Sequence, residues 1–204
     1  MKIKAIIFDL GGVILNIDYP KMVEAFTILG AEDFDAMHQV NLPLFEAFSK
    51  GEITKGEFHQ QVCAKLKLKL DETQFDTAIN AMLLDLPYPR LAYIQQLKNI
   101  GYQTFLLSNT NAIHYEKLKL LLREQYGLDS LRSYFDKEYY SHLTGVYKPA
   151  VAAYQMVLAE ARLLPEQVVF IDDDLNNVKA AATLGIEAKQ LVGELTSLTM
   201  LDLR

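Results

Sequence analysis

"IIFDLGGVILNID", residues 6–18, runs an apolar stretch straight into Asp9, with Gly11 and Gly12 close behind. A short, wholly apolar run predicts a strand covered on both faces, as in a parallel sheet. A carboxylate at its end, followed by glycines that permit a tight turn, sets a charge at the sheet edge where open α/β sheets bind ligands.

Working outward, the same pattern predicts strands over residues 3–9, 102–108, 168–172 and 186–190, with a less apolar one over 134–141. Helical periodicity separates them. "YPRLAYIQQLKNIGY" places Leu91, Ile94, Leu97 and Ile100 on one face and ends at Gly101. "NAIHYEKLKLLLREQYG", "PAVAAYQMVLAEARLL" behind Pro149, and "NNVKAAATLG" ending at Gly185 read the same way. Strands alternating with helices predict an α/β fold, a mostly parallel sheet flanked by helices.

Between residues 18 and 86 the rhythm breaks, and only helical patterns occur. Thr54 and Glu57 have capping-box spacing, and Pro87 and Pro89 close the region. The expected organisation is a catalytic core of residues 1–17 and 87–204, with residues 18–86 an inserted all-helical unit over the strand ends.

Composition narrows the function. The chain has 204 residues, half of them apolar, and a net charge of −6 with both signs interspersed. No basic stripe suggests nucleic acid, and no apolar stretch is long enough to span a bilayer. The single cysteine, Cys63, forms no internal disulfide. A cytoplasmic protein is expected, monomer or homodimer, acting on a small molecule and binding neither nucleic acid nor membrane.

The predicted strand ends gather Asp9, the run Ser108-Asn109-Thr110 and the triplet Asp172-Asp173-Asp174, with Lys148 in "TGVYKP" near the weak strand. Carboxylates this dense repel unless a cation neutralises them, and hard oxygen ligands suit Mg²⁺. A phosphate dianion could then share its charge among the metal, Lys148 and the backbone amides after Asp9, including that of Gly12. An aspartate held against it can attack in line to form an aspartyl-phosphate.

These motifs resemble the haloacid dehalogenase superfamily of hydrolases: "FDLGGV", "LLSNTN", the lysine of "YKP" and "FIDDDLNNV" match its four motifs in order. The resemblance implies a Rossmann-like core, a helical first-position cap and sugar-phosphatase-like activity. It implies Asp9 as nucleophile, Ser108 and Lys148 on the transferred phosphoryl group, Asn109 and Gly12 at the substrate, and Asp172 orienting the lysine or a water. Asp9, the Gly11 carbonyl and Asp173 would be the Mg²⁺ ligands. Asn177 falls where many relatives carry an acid.

Gly11 departs from the pattern. Most phosphatases of the superfamily place there an aspartate that protonates the leaving oxygen and later activates water, help worth about 10²–10⁴-fold. A substrate with a stable leaving oxygen, such as an anomeric, acyl or aryl phosphate, would need it least; Asp18 could substitute if the turn folded it back. The alternatives are a 2-haloacid dehalogenase, disfavoured by the retained acidic pair, and a catalytically weak regulator that binds a phosphorylated ligand.

Local roles compete for the same residues. Asp174 reads as a helix N-cap, Asp18 as a turn residue, and Ser108 as a cap of the next helix. His38, His59, His114 and His142 lack zinc-site spacing. Cys63 and the aromatics Phe26, Phe34, Phe45, Phe48 and Phe58 read as packing within the insert, and "LTSLTMLDLR" as a last short helix.

Overall fold

A computed structural model describes residues 2–197. In chain order the elements are β1 (Ala5–Phe8), α1 (Tyr19–Ile28), α2 (Phe34–Val40), α3 (Leu42–Ser49), α4 (Lys55–Leu66) and α5 (Glu72–Asn80). Then come α6 (Tyr88–Asn99), β2 (Gln103–Ser108), α7 (Ala112–Tyr126), β3 (Lys137–Tyr140) and α8 (Ser141–Thr144). The chain continues through α9 (Val151–Ala161), β4 (Val168–Asp172), α10 (Leu175–Ala182) and β5 (Glu187–Gln190). The end of the expected C-terminal helix lies outside the described residues; Leu195–Ser197 form a 3-10 turn.

The strands pair in the order β3-β2-β1-β4-β5, all in parallel. This is the Rossmann-like α/β sheet that the apolar runs predict. Alternation along each strand explains the two layers of core. Ile6, Phe8, Leu106, Val169 and Ile171 face one side with Leu91, Ile94 and Leu118 of α6 and α7. Ala5, Ile7, Phe105, Leu107, Val168 and Phe170 face the other with Tyr154 and Val157 of α9. Each fully buried large side chain contributes roughly 1.5–3 kcal/mol.

β3 is shorter than the stretch expected over 134–141. Residues 132–134 form a turn, with Tyr134 N–H on Leu131 O at 2.8 Å, so the strand begins only after Asp136, which bonds residue 104 through its carboxylate and its N–H at 2.8 Å each, and Ser141 already opens α8.

The helices α1–α5 between β1 and α6 pack around a third cluster built on Phe26, Phe34, Phe48, Phe58 and Phe75, with Cys63 a small buried member and Phe45 at its rim. The Thr54–Glu57 capping box starts α4, as its spacing predicts. Ile113 of α7 reaches into the same cluster, so the helical unit is seated on the core and not merely tethered to it. The two connecting segments pair antiparallel at Ile17 and Leu83, with Asp18 N–H on Met82 O and Leu84 N–H on Asn16 O. No helix among the described residues is long and apolar enough to cross a membrane.

Candidate active site

Strand order reverses between β1 and β4, because the chain builds β2 and β3 on one side of β1 before β4 joins the other. Such a switch point opens a crevice at the carboxyl ends of the strands. Register does the placing. Phe8 pairs with Ile171 and with Leu106, so Asp9 emerges beside Asp172 and Ser108 lies alongside residues 9–10. The Asp9 N–H still bonds Ile171 O at 2.9 Å, which fixes the carboxylate at the last rung of the ladder.

Lys148 is buried at the centre. Its Nζ donates to Asp9 Oδ1 at 2.6 Å and to Asp172 Oδ2 at 2.7 Å. Its backbone is clamped by Asn109, whose amide donates to Lys148 O at 2.8 Å and whose oxygen accepts from Lys148 N at 2.8 Å. The Asn109 side chain is therefore occupied in holding the lysine. Asp172 is saturated: it also accepts from Asp174 N–H at 2.8 Å and from the Asn177 amide at 3.1 Å on each oxygen. Asp174 caps α10 through Asn176 N–H, as its position predicts.

One ammonium does not balance the carboxylates around it. Burial pushes Asp9 up to about 7, against the pull of Lys148 and with the push of Asp172. Burial and the neighbouring Asp172 also raise Asp173. The lysine moves up too: burial opposes its charge, but Asp9 and Asp172 outweigh that and keep it protonated. One oxygen each of Asp9, Asp172 and Asp173 lie within 4.8 Å of one another. Hard oxygens, excess negative charge and carboxylates raised first by burial and then by the neighbouring Asp172 together suit a hard divalent cation.

The glycines differ. Gly12 has φ +74°, and a Cβ there would lie 2.2 Å from Asp173 Oδ2. Glycine is thus required for both backbone and space, since the turn passes directly against the acid of the neighbouring strand. Gly11 has no such constraint; it lines a cavity of about 90 Å³ with Ile17, Met82, Ser108, Thr110 and His114.

Two expectations change. Ser108 does not cap α7: Asn111 does, accepting from Ile113 N–H and His114 N–H at 3.0 Å each. Asp18 stands at the start of α1 without making a side-chain cap bond, and does not line the Gly11 cavity.

Sequence reasoning also missed several supports. Arg90, buried in the first turn of α6, donates to Ile14 O at 3.3 Å and pairs with Glu194 at 3.0 Å, bracing the turn after Asp9. Ser141 Oγ takes the Thr110 N–H and returns a bond to Thr110 O, both at 2.9 Å, fixing the loop after β2. A buried arginine inside an otherwise amphipathic helix was the available signal for the first; nothing local marked the second.

The haloacid dehalogenase-like hydrolase family model matches residues 3–185. The chain belongs to this family. Among its haloacid dehalogenase-like relatives is the D-ribitol-5-phosphate phosphatase of Bacteroides thetaiotaomicron, 31% identical over 92% of this chain and 91% of that protein. The sesquiterpene phosphatase of Aspergillus oryzae is 26% identical over 98% of this chain and 95% of its own length. A solved family enzyme of Bacteroides thetaiotaomicron, in complex with magnesium and inorganic phosphate, superposes with TM-score 0.83 at 31% identity, covering 92% of this chain and 93% of that one. The L-2-haloacid dehalogenase of Xanthobacter autotrophicus shares the fold, with TM-score 0.61 at 19% identity.

Proposed function

We propose that this phosphoric monoester hydrolase is a Mg²⁺-dependent phosphatase of a small phosphorylated metabolite of the sugar or polyol class, working through an aspartyl-phosphate on Asp9. The observation that carries the reading is the Lys148 ammonium shared between Asp9 and Asp172, with Asp173 close enough to complete an acidic trio. The phosphatase relative named for D-ribitol 5-phosphate and the related structure holding magnesium with phosphate support the substrate class and the ion.

Asp9, Asp173 and the Gly11 carbonyl would hold Mg²⁺, which when bound neutralises phosphate charge and orients the phosphoryl group for in-line attack. Lys148 holds one phosphoryl oxygen and pulls Asp9 toward its ionised, nucleophilic form against the burial that raises it. Asp172 holds Lys148 in place, and Asn177 and Asp174 N–H hold Asp172. Ser108, buried at the end of β2, gives a hydroxyl to the phosphoryl group, and the amides at Gly12 and Asn109 add donors. Residues 18–86 act as the cap, and residues 1–17 with 87–204 as the core; the cap excludes water while the phosphoryl group is transferred. A haloacid dehalogenase would have no use for the acidic trio.

The test is phosphate release from a panel of phosphorylated metabolites, with Mg²⁺ and with EDTA. The reading requires release that EDTA abolishes; halide release from 2-haloacids without metal, and no phosphate from any ester, would replace it.

A further inference from the structure

The helical unit meets the core on two sides of the site, and the two sides differ. On the Gly11 side it is seated: Ile113 of α7 enters its cluster, and His114 Nε2 bonds Ile79 O at 3.1 Å. The cavity left there holds about 90 Å³, against roughly 300–1,000 Å³ for pockets that take a small ligand. A five-carbon leaving group finds no room in it.

The other side is polar. α3 turns Leu44, Phe45 and Phe48 toward the aromatic cluster, so Glu46 and Lys50, one turn apart, lie on its opposite face. They pair at 2.6 Å. The loop after α3 rests on α8: a Cβ at Gly51 would lie 2.4 Å from His142 O. α8 leads through Tyr147 to Lys148, so this end of α3 is brought against the segment that supplies the buried lysine.

Tyr147 is half-buried at the junction. Burial raises its hydroxyl, Glu46 and Asp174 raise it further, and the Asn109 side chain and Lys148 pull it down. Lys50, raised first by its bond to Glu46, also feels Glu52 and Tyr147. Asn109 follows β2 and Asp174 follows β4, and Asp9 ends the strand between them. A hydroxyl that senses the loops on both flanks and the helical unit as well stands at the mouth of the crevice that holds Asp9.

The chemistry of this mouth suits alcohols. A carboxylate accepts, an ammonium donates and a phenol does both, which is what a run of hydroxyl groups needs. A second anion is not suited. Glu46, Glu52 and Asp174 outnumber Lys50, which is already paired.

We propose that Glu46, Lys50 and Tyr147 form the subsite for the leaving group, and that they select an uncharged chain of hydroxyls over one that is bare or ends in an acid. This rests on the phosphatase reading above and narrows its substrates to neutral polyol and sugar monophosphates. The three side chains touch the hydroxyls and not the phosphorus. Their contacts are the same before and during phosphoryl transfer, so their loss raises KM more than it lowers kcat.

The experiment measures kcat and KM with Mg²⁺ for a pentitol 5-phosphate, n-pentyl phosphate and the matching pentonate 5-phosphate, in the wild type, Glu46→Gln, Lys50→Met and Tyr147→Phe. The wild type should favour the pentitol ester over each of the others by about 10-fold or more in kcat/KM, the loss expected when hydrogen bonds to charged groups go unmade. Each variant should raise KM for the pentitol ester far more than for pentyl phosphate, and Glu46→Gln should narrow the gap to the pentonate. Equal wild-type kcat/KM on the pentitol and pentyl esters overturns the inference even if no variant folds. So does a wild-type preference for the pentonate, or folded variants that slow the pentitol and pentyl esters alike. Each of those leaves the phosphatase reading intact, whereas no Mg²⁺-dependent hydrolysis of any ester overturns both.

Discussion

Replacing Lys148 with methionine removes one charge from a buried trio and leaves the volume nearly filled. In the native chain its Nζ bridges Asp9 and Asp172 at 2.6 and 2.7 Å, and the lysine and Asp172 side chains are 1% and 0% exposed. Removing one partner from such a pair typically costs 3–5 kcal/mol, about 4 here, because the remaining charges stay buried and uncompensated. For a chain of this length each kcal/mol moves Tm by about 2–4 °C, so the fall should be roughly 6–20 °C. The sign with pH follows from proton binding. Burial already raises Asp9, and without the pull of the lysine its carboxyl holds a proton to still higher pH in the folded state than when unfolded, so the variant loses stability as pH rises and recovers toward acid. The assay is thermal unfolding without divalent ion at pH 8 and pH 5, for Lys148→Met alone and with Asp9→Asn. The double variant should regain part of the loss, because it deletes a charge the lysine had compensated. A Tm for Lys148→Met close to wild type at pH 8, or no recovery in the double variant, would refute the picture of a charge-balanced buried trio.

Other consequences follow from single contacts. His114 is held down to about 4 by burial, below its unfolded value near 6.5, so the unfolded chain binds the extra proton first. Its stability contribution is complete above about pH 6.5 and is lost as pH falls toward 4; the full shift would represent ~3 kcal/mol, and the ring's partial solvent contact reduces this to about 1–2. Urea unfolding of the wild type and His114→Gln at pH 5 and pH 8 should show the larger loss toward pH 5 in the wild type, the difference between the two chains being the histidine's share. Gly12→Ala and Gly101→Ala both place alanine at positive φ; Gly101→Ala, in open space, should lose about 1–2 kcal/mol, and Gly12→Ala more, because its methyl must also displace Asp173. Only Gly12→Ala, whose methyl meets Asp173, should also weaken Mg²⁺ affinity in a titration. A Cβ at Gly51 would lie 2.4 Å from His142 O, where the loop after α3 rests on α8, so Gly51→Ala should unseat that edge of the helical unit and raise KM more than it lowers kcat.

Much of the fold was legible because its signals are local. The apolar runs of β1, β2 and β4 and the capping box of α4 each follow from a few adjacent residues. The gathering of Asp9, Ser108, Lys148 and Asp172 was legible for a different reason: parallel strands share one carboxyl edge, so residues 139 apart in sequence meet once the strands are recognised. What sequence could not show depends on packing across that edge. The Asn109 amide closing on the Lys148 backbone, Arg90 reaching Ile14 O, and His114 bonding Ile79 O all join elements whose relative placement no local pattern encodes. Ser108 failed as a helix cap because α7 starts later, at a residue equally suited to capping, Asn111.

The most direct measurement mixes the enzyme with Mg²⁺ and a phosphorylated substrate, quenches in acid within one turnover, and maps any added phosphoryl group by peptide mass. Each turnover through an aspartyl-phosphate passes the phosphoryl group over residue 9, so the adduct should be found on the peptide carrying Asp9. Asp9→Asn should show no adduct and at least about 10³-fold slower phosphate release. Phosphate release at the wild-type rate by Asp9→Asn, or turnover with no covalent phosphoryl group at any time, would contradict the account.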